Sequence, residues 1–113
     1  MQQAIIVDQS KIEKHPGCVA EALCIIGNKW TALLVMELAK GNTRFSHIEA
    51  SLKGISPRTL SQRLDYLVEQ SIITKKNFLE MPPRIEYSLT QKGYDLIPIL
   101  QSMASWGNKY TKK

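Results

Sequence analysis

The chain is poor in cysteine, histidine and acidic residues, and each shortage narrows the chemistry that it can perform. Two cysteines in 113 residues make no disulfide framework, which disfavours a small secreted scaffold. The two histidines and ten acidic residues show no recognised metal-ligand spacing, and there is no nucleophile motif or Gly-rich phosphate loop. We therefore expect no metal, no cofactor and no enzymatic activity.

Long apolar runs are also missing. The longest, such as ALLVM at Ala32–Met36, fall far short of the roughly 20 residues that cross a bilayer as a helix. The first fifteen residues lack a positive region followed by a long apolar run, which argues against a signal peptide. We expect a cytoplasmic protein without a membrane partner.

What the chain has in excess is positive charge. Its net charge is +5 and its pI about 9.3, so a polyanion is the natural partner. Its length suits one domain, and a hydrophobic content of 43% is enough for a compact core. The charge favours a polyanionic partner such as double-stranded DNA, although many basic proteins bind no nucleic acid.

Apolar residues recur at helical spacing through the first half of the chain. They predict a helix that ends near Gly27, a second that ends near Gly41 and a third over about Arg44–Leu52, with Thr43 as its N-cap. Residues 1–17 are expected to form an N-terminal arm, and 18–113 the domain. The apolar stripe of the first helix consists of Val19, Ala22, Leu23 and Ile26, and Cys24 beside it is expected to lie in the core.

A fourth helix is predicted over about 56–70. Ser56 can cap it, and Pro57 suits the first helical position. Leucines at 60, 64 and 67 share one face, and the opposite face of the first two turns is polar and cationic. Asp65 and Glu69 would repel phosphate further along, so any DNA contact belongs to the N-terminal half.

From Ile72 the apolar period changes from that of a helix to that of a strand, which predicts a hairpin over about 74–89. The two prolines of EMPP mark its tip, since proline cannot belong to a central ladder. Thr90 then caps a last helix that extends to about 111, in which Pro98 should cause a kink or delay the regular start.

The predicted fold is mainly α with a small antiparallel β-hairpin, an α+β arrangement known as the winged helix-turn-helix. The second helix of its helix-turn-helix pair enters the major groove, and the hairpin is the wing. The side chains expected to read bases are Arg58, Thr59, Gln62 and Arg63. Those expected to contact the DNA backbone are Arg44, Ser46, His47, Ser56, Lys75, Lys76 and Arg84.

The last helix is apolar around most of its circumference, which predicts that a second subunit covers part of it. The residues expected at this dimer interface are Leu96, Ile99, Leu100, Met103, Trp106 and Tyr110. A two-fold dimer would place two reading helices on an inverted-repeat operator.

These strings together resemble a known family. IG-x-KW, RF, GIS and PPR-x-EYSLT-x-x-G, spread from about Cys18 to Trp106, are similar to the HxlR-type winged helix-turn-helix regulators of bacteria and archaea. The resemblance implies a DNA-binding homodimer, joined largely by its first and last helices, that represses or activates adjacent genes. Val19 stands where this family usually has proline, and Asn28 where it usually has a second glycine.

Two questions of function stay open. Cys18 lies beside Lys14 and His15 near a helix start, a setting that favours the reactive thiolate. Some HxlR-type regulators use an N-terminal cysteine to sense oxidants or electrophiles, whereas a small buried residue with no signalling role is equally compatible with the sequence. The alternative to a DNA-binding regulator, with or without a small-molecule or oxidant effector, is a winged-helix adaptor that binds an acidic protein.

Overall fold

The computed structural model describes the backbone of residues 16–111 and the side chains from residue 19 onward. The helices are α1 Pro16–Ile26, α2 Lys29–Ala39, α3 Phe45–Ser51, α4 Pro57–Glu69, α5 Gln91–Tyr94 and α6 Leu96–Tyr110, and the strands are β1 Ile73–Phe78 and β2 Arg84–Leu89. The predicted N-terminal arm lies outside the described residues. Its last two positions are an exception, because Pro16 and Gly17 already belong to α1.

Helices α1 and α2 are separated by a break at Gly27 and Asn28. The Asn28 side chain caps α2, since its Oδ1 accepts a hydrogen bond of 2.9 Å from the Trp30 amide. The residue that departs from the family pattern therefore supplies a helix cap. Within residues 16–111 no single helix is long and apolar enough to cross a membrane, and Val19–Ile26 with Lys29–Ala39 reach that length only together, across a 75° bend.

Helix α3 begins differently from the prediction. Its N-cap position is Arg44, which makes no side-chain capping bond, so the assignment of Thr43 as the cap was wrong. The Thr43 carbonyl instead accepts a hydrogen bond of 2.9 Å from the Tyr87 amide, and Arg44 pairs with Glu86 in an isolated antiparallel bridge. The segment before α3 is thus held by the wing, a tertiary pairing that local capping rules do not register.

Helix α4 confirms its prediction closely. Ser56 is the N-cap and accepts a hydrogen bond of 3.0 Å from the Thr59 amide, and Pro57 occupies the first helical position. The leucines at 60, 64 and 67 are completely buried. Gly54, at φ +91°, makes the turn from α3 that a residue with a Cβ would adopt only under strain.

The two strands form one antiparallel hairpin in which Ile73 faces Leu89 and Phe78 faces Arg84. Thr90 follows β2 and caps α5 by accepting a hydrogen bond from the Gly93 amide, as expected. The chain then breaks at Asp95 before α6, which puts Pro98 in the first turn of α6. A proline there sacrifices no intrahelical bond, so the predicted delay of the regular helix is confirmed.

The core is centred on α2, which contacts α1, α3, α4, α6 and β2. Leu34 and Val35 of α2 pack with the three α4 leucines and with Ile48, Ile72 and Tyr87. Helix α1 contributes little to this core. Of its apolar stripe Ile26 is buried, whereas Val19 and Leu23 are exposed. Cys24 is exposed as well, and its expected place in the core was wrong.

Candidate nucleic-acid interface

The outer face of α4 presents cationic and uncharged polar groups in its first two turns and the acidic residues Asp65 and Glu69 beyond them. Arg58 and Gln62 are exposed, and Thr59 and Arg63 are half-buried. Complete burial of the leucine face fixes the rotation of the helix, so these side chains point away from the core. Both Arg and Gln can form paired hydrogen bonds with base edges in the major groove.

Arg63 is held in place by its neighbour one turn later. Its guanidinium carbon lies 4.8 Å from the centroid of the Tyr66 ring. The Tyr66 hydroxyl in turn donates a hydrogen bond of 3.4 Å to the carbonyl oxygen of Cys24 in α1. Tyr66 therefore links Arg63 of α4 to the first helix.

Ser56 serves the helix itself. Its hydroxyl oxygen accepts from the Thr59 amide and its proton goes to the Thr59 hydroxyl at 2.9 Å. Both the expected phosphate contact at Ser56 and the expected base contact at Thr59 would have to share this local network. We regard Ser56 as the residue that positions the first turn.

The cations of the wing differ in how far acidic residues neutralise them. Lys75 and Lys76 are exposed, and neither is ion-paired with any residue from 19 to 111. Arg84 makes ion pairs with Glu80 and with Glu86, the latter at 2.8 Å. Its hydrogen bond to Glu86, with further help from Glu80, raises the pKa of the Arg84 guanidinium above its ordinary value.

Glu86 also reaches the start of α3. Its carboxylate lies 3.8 Å from Nε of Arg44 and accepts a 3.4 Å hydrogen bond from the Thr43 hydroxyl. Arg44 is about half exposed, so its outer nitrogens still face solvent. Ser46 and His47, in the first turn of α3, are exposed. Of the cations expected to hold the DNA backbone, Arg44 and Arg84 are ion-paired with Glu86. Lys75 and Lys76 have no acidic partner among the described residues, and the Lys76 ammonium lies 5.1 Å from the Phe78 ring centroid.

The apolar surface of α6 that was expected to form the dimer interface is exposed only in part. Leu100 is 6% exposed and belongs to the core of its own chain, so its assignment to the interface is corrected. Leu96 is half-buried against the same core. The remaining four residues, Ile99, Met103, Trp106 and Tyr110, are exposed and recur at intervals of four, three and four along one side of α6.

The Cys18 backbone lies in α1, and its side chain is outside the described part of the chain. Cys24 is on the same helix, six residues further on, a rise of about 9 Å that exceeds the reach of a disulfide. No group of three or more His, Cys, Asp or Glu side chains among the described residues is arranged to hold a metal ion.

The sequence reasoning missed the apolar tip of the wing. Leu79 and Met81 are the most exposed large hydrophobic side chains among the described residues. The signal that could have found them is the string FLEMPP, which places large apolar residues beside two prolines where a turn was already predicted.

Comparison with known proteins identifies the fold and the family. Residues 25–113 match the family described as HxlR-like helix-turn-helix. The uncharacterised HTH-type transcriptional regulator YvaP of Bacillus subtilis (strain 168) is 42% identical over 90 residues, which is 80% of this chain and 83% of that protein.

Two solved structures are similar over most of their length. The redox regulator HypR in its oxidised form superposes with a TM-score of 0.77 and 31% identity, covering 85% of this chain and 99% of that one. The reduced transcriptional regulator YodB from B. subtilis gives 0.75 and 28%, covering 84% and 93%. The predicted winged fold and the prediction that the chain is not an enzyme are confirmed, and the chain belongs to the HxlR family of helix-turn-helix transcriptional regulators.

Proposed function

We propose that the protein is a cytoplasmic, sequence-specific DNA-binding regulator that acts as a homodimer on an inverted-repeat operator. The observation that carries the proposal is the orientation of α4. Its leucine face is fully buried, so Arg58 and Gln62 stand exposed in the first two turns. Asp65 and Glu69 follow on the outer surface and leave those two turns as the part that can approach DNA.

The base-reading residues are Arg58, Gln62 and Arg63, with Thr59 sharing its hydroxyl between the cap and the groove. Arg63 is pre-oriented by its stack on Tyr66, which reduces the entropy lost when it binds a base. Backbone contacts come from Lys75, Lys76 and the exposed side of the α3 start. Those α3 residues are Arg44, Ser46 and His47.

The dimer is supported by the apolar side chains that the fold leaves uncovered on the terminal helices. Trp106 is 69% exposed, and its ring lies 5.4 Å from that of Tyr110. Val19 and Leu23 are exposed on α1. Side chains of this size are rarely left in water in a contiguous group unless another molecule covers them.

Thiol sensing by Cys18 is the proposed route of regulation. HypR, to which the chain is similar in structure, is described as a redox regulator. Diamide would take two hydrogens from two Cys18 thiols and join the subunits by one disulfide. A cross-link on non-reducing gels that Cys18→Ser abolishes and Cys24→Ser retains is the expected result. An oxidant response that persists in Cys18→Ser would remove Cys18 from this role.

The test of DNA reading compares two cation variants on duplexes that the wild-type protein selects from a random library. Arg58→Ala should lose about 1–3 kcal/mol of binding to the selected duplex and little on random DNA, because its hydrogen bonds are to base edges. Lys76→Ala should weaken both alike and lower the salt slope by about one, because a lysine on phosphate releases counterions regardless of sequence.

The same binding measurements distinguish a DNA-binding regulator from the alternative, an adaptor that binds an acidic protein. If the wild-type protein selects no duplex and shows no salt-dependent binding, the DNA-binding proposal fails. If Arg58→Ala discriminates between selected and random DNA as the wild type does, α4 is not the reading helix.

A further inference from the structure

The tip of the wing is apolar and fully exposed. Leu79 is 97% and Met81 96% exposed, and Pro82 and Pro83 complete the turn between the strands. The tip follows the Phe78–Arg84 pair, which lies five residue pairs, or roughly 17 Å, beyond the Ile73–Leu89 pair at the base of the hairpin. These side chains therefore lie away from the core, and nothing in the described part of the chain covers them.

The tip is nevertheless ordered by its own contacts. The Glu80 amide donates a hydrogen bond of 2.9 Å to the Phe78 carbonyl, and the Glu80 carboxylate is ion-paired with Arg84. The Arg84 guanidinium carbon lies 4.2 Å from the centroid of the Phe78 ring. Arg84 thus braces both strands, and the side chains at 79 and 81 are held outward before any partner arrives, which lowers the entropic cost of contact.

The charges around the tip indicate what it contacts. Lys75 and Lys76 are neighbours on β1, so their side chains leave opposite faces of the hairpin. A flat protein surface would meet only one of these faces. A hairpin that enters a groove of duplex DNA has a row of phosphates on each side, and free lysines on both faces match that arrangement.

The apolar end of the hairpin fits the floor of the minor groove. Proteins that bind there insert Leu, Met, Phe or Pro between base steps, which unstacks the step and bends the duplex by roughly 20–90° toward the major groove. The minor groove offers few sequence-specific hydrogen bonds. An apolar tip in this groove therefore forgoes few base-specific contacts compared with a polar one. Flexible pyrimidine–purine steps would be the easiest to open.

We propose that the wing tip is an apolar wedge: Leu79 and Met81 enter the minor groove beside the major groove that α4 reads, open a base step and bend the operator. This inference rests on the proposed DNA-binding function. It adds a contribution to specificity that depends on how easily the flanking sequence deforms rather than on its base edges.

The experiment uses the full chain and a duplex selected by the wild-type protein, with a donor and an acceptor dye at its ends and 2-aminopurine at the flanking step. The wedge variant is Leu79→Ser with Met81→Ser. A second variant, Leu79→Met with Met81→Leu, keeps the apolar volume. Tyr94→Ser is the matched control, because Tyr94 is an exposed aromatic residue of α5 that is assigned to no interface.

Wild type, the apolar swap and the control should all raise energy transfer between the dyes and increase 2-aminopurine fluorescence on binding. The serine variant should bind about tenfold more weakly, without the bend or the unstacking signal, and with the same salt slope because both lysines remain. Unchanged thermal unfolding of the serine variant would show that the fold is intact.

Three results would overturn the wedge. If the serine variant bends and unstacks the duplex as the wild type does, the tip does not enter the groove, and an apolar protein partner becomes its occupant. If the wild-type protein binds the selected duplex without bending it, the wedge fails while the DNA-binding proposal stands. If the wild-type protein selects no duplex at all, both proposals fall together.

Discussion

Two regions of the molecule differ in how far their apolar side chains are buried. In α4 every leucine of the apolar face is completely buried, and what remains outside is polar or charged. In α1 and α6 a second set of large apolar side chains stays outside after the core is complete. Both regions pack against α2, so the difference does not come from a lack of available core.

The contrast indicates that a buried apolar stripe and an exposed one have different roles, the first in folding and the second in the proposed assembly. The α4 stripe fixes which way the helix faces, and the residues opposite to it are the ones proposed to read DNA. The exposed residues on α1 and α6 leave about half or more of their surface in water within one chain, which is why we assign them to a partner. Variants in the two regions should separate folding from assembly.

The largest effect is expected from the core side of α4. Leu64→Ala should lower the free energy of unfolding by about 2–5 kcal/mol, because a fully buried leucine leaves both lost apolar contact and a cavity. Urea unfolding followed by circular dichroism measures it. A loss below about 1 kcal/mol would mean that the α4 face is not tightly packed.

Gly93→Ala should come next. A Cβ at this position would collide with the Ile72 carbonyl oxygen and lie 2.9 Å from Cδ2 of Leu89. Overpacking of this kind costs about 1–3 kcal/mol. Gly107→Ala is the matched control, since a Cβ there meets nothing within 4 Å and alanine favours the helix. Equal stability of the two variants would show that α5 can move away from the hairpin.

The contribution of α2, against which both regions pack, to the free energy of unfolding should depend on pH. Burial raises the pKa of the Glu37 carboxyl, but hydrogen bonds from Asn42, at 2.6 Å, and from Lys40 outweigh it and lower the pKa below its usual 4.5. A lowered folded pKa adds stability above the usual value, and that stability is lost as pH falls through the folded pKa.

Asn42→Ala should therefore cost about 1 kcal/mol near neutral pH, with a difference from wild type that shrinks as the pH drops below 4.5. Urea unfolding at a series of pH values measures both. A pH-independent difference between variant and wild type would show that Asn42 acts through the turn backbone rather than through Glu37.

The smallest effect on stability is expected at Leu23, although it is also a leucine on an amphipathic helix. At 57% exposure, Leu23→Ala should change the unfolding free energy by less than about 0.5 kcal/mol at low protein concentration. Light scattering should show weaker self-association of the variant. A loss as large as that of Leu64→Ala would mean that α1 packs within its own chain.

The parts of the fold that local rules determine could be predicted from the sequence. Ser56 and Pro57 mark the start of α4, and the prolines of EMPP mark the hairpin tip, because capping and missing amides act within a few residues. Pro98 likewise marks the delayed start of α6. Each of these signals is independent of what the chain packs against.

The parts that depend on distant residues could not be predicted. Thr43 is a residue type that often caps helices, but its carbonyl oxygen accepts a hydrogen bond from the Tyr87 amide, more than forty residues away in the sequence. Apolar residues surround most of α6, so periodicity could not show that Leu100 faces inward. Arg84 was expected to contact DNA because of its charge. In the fold this charge is paired with Glu86 on the same strand and with Glu80 in the turn, and the sequence does not show these pairs.

The junction at Thr90 joins the end of α4 to the start of α5. Its hydroxyl donates to the Ser71 carbonyl at 2.6 Å, its amide donates to the Ile72 carbonyl at 3.0 Å, and Lys92 donates to the Gln70 carbonyl at 2.8 Å. The last turn of α4 is thereby tied to the first turn of α5. In a dimer joined through α6, which contacts both α5 and α2, a rotation of that helix would reach α4 through these contacts and the Thr90 junction. The distance between operator half-sites would then depend on the crossing angle of the two α6 helices, and it could evolve through residues that never approach DNA.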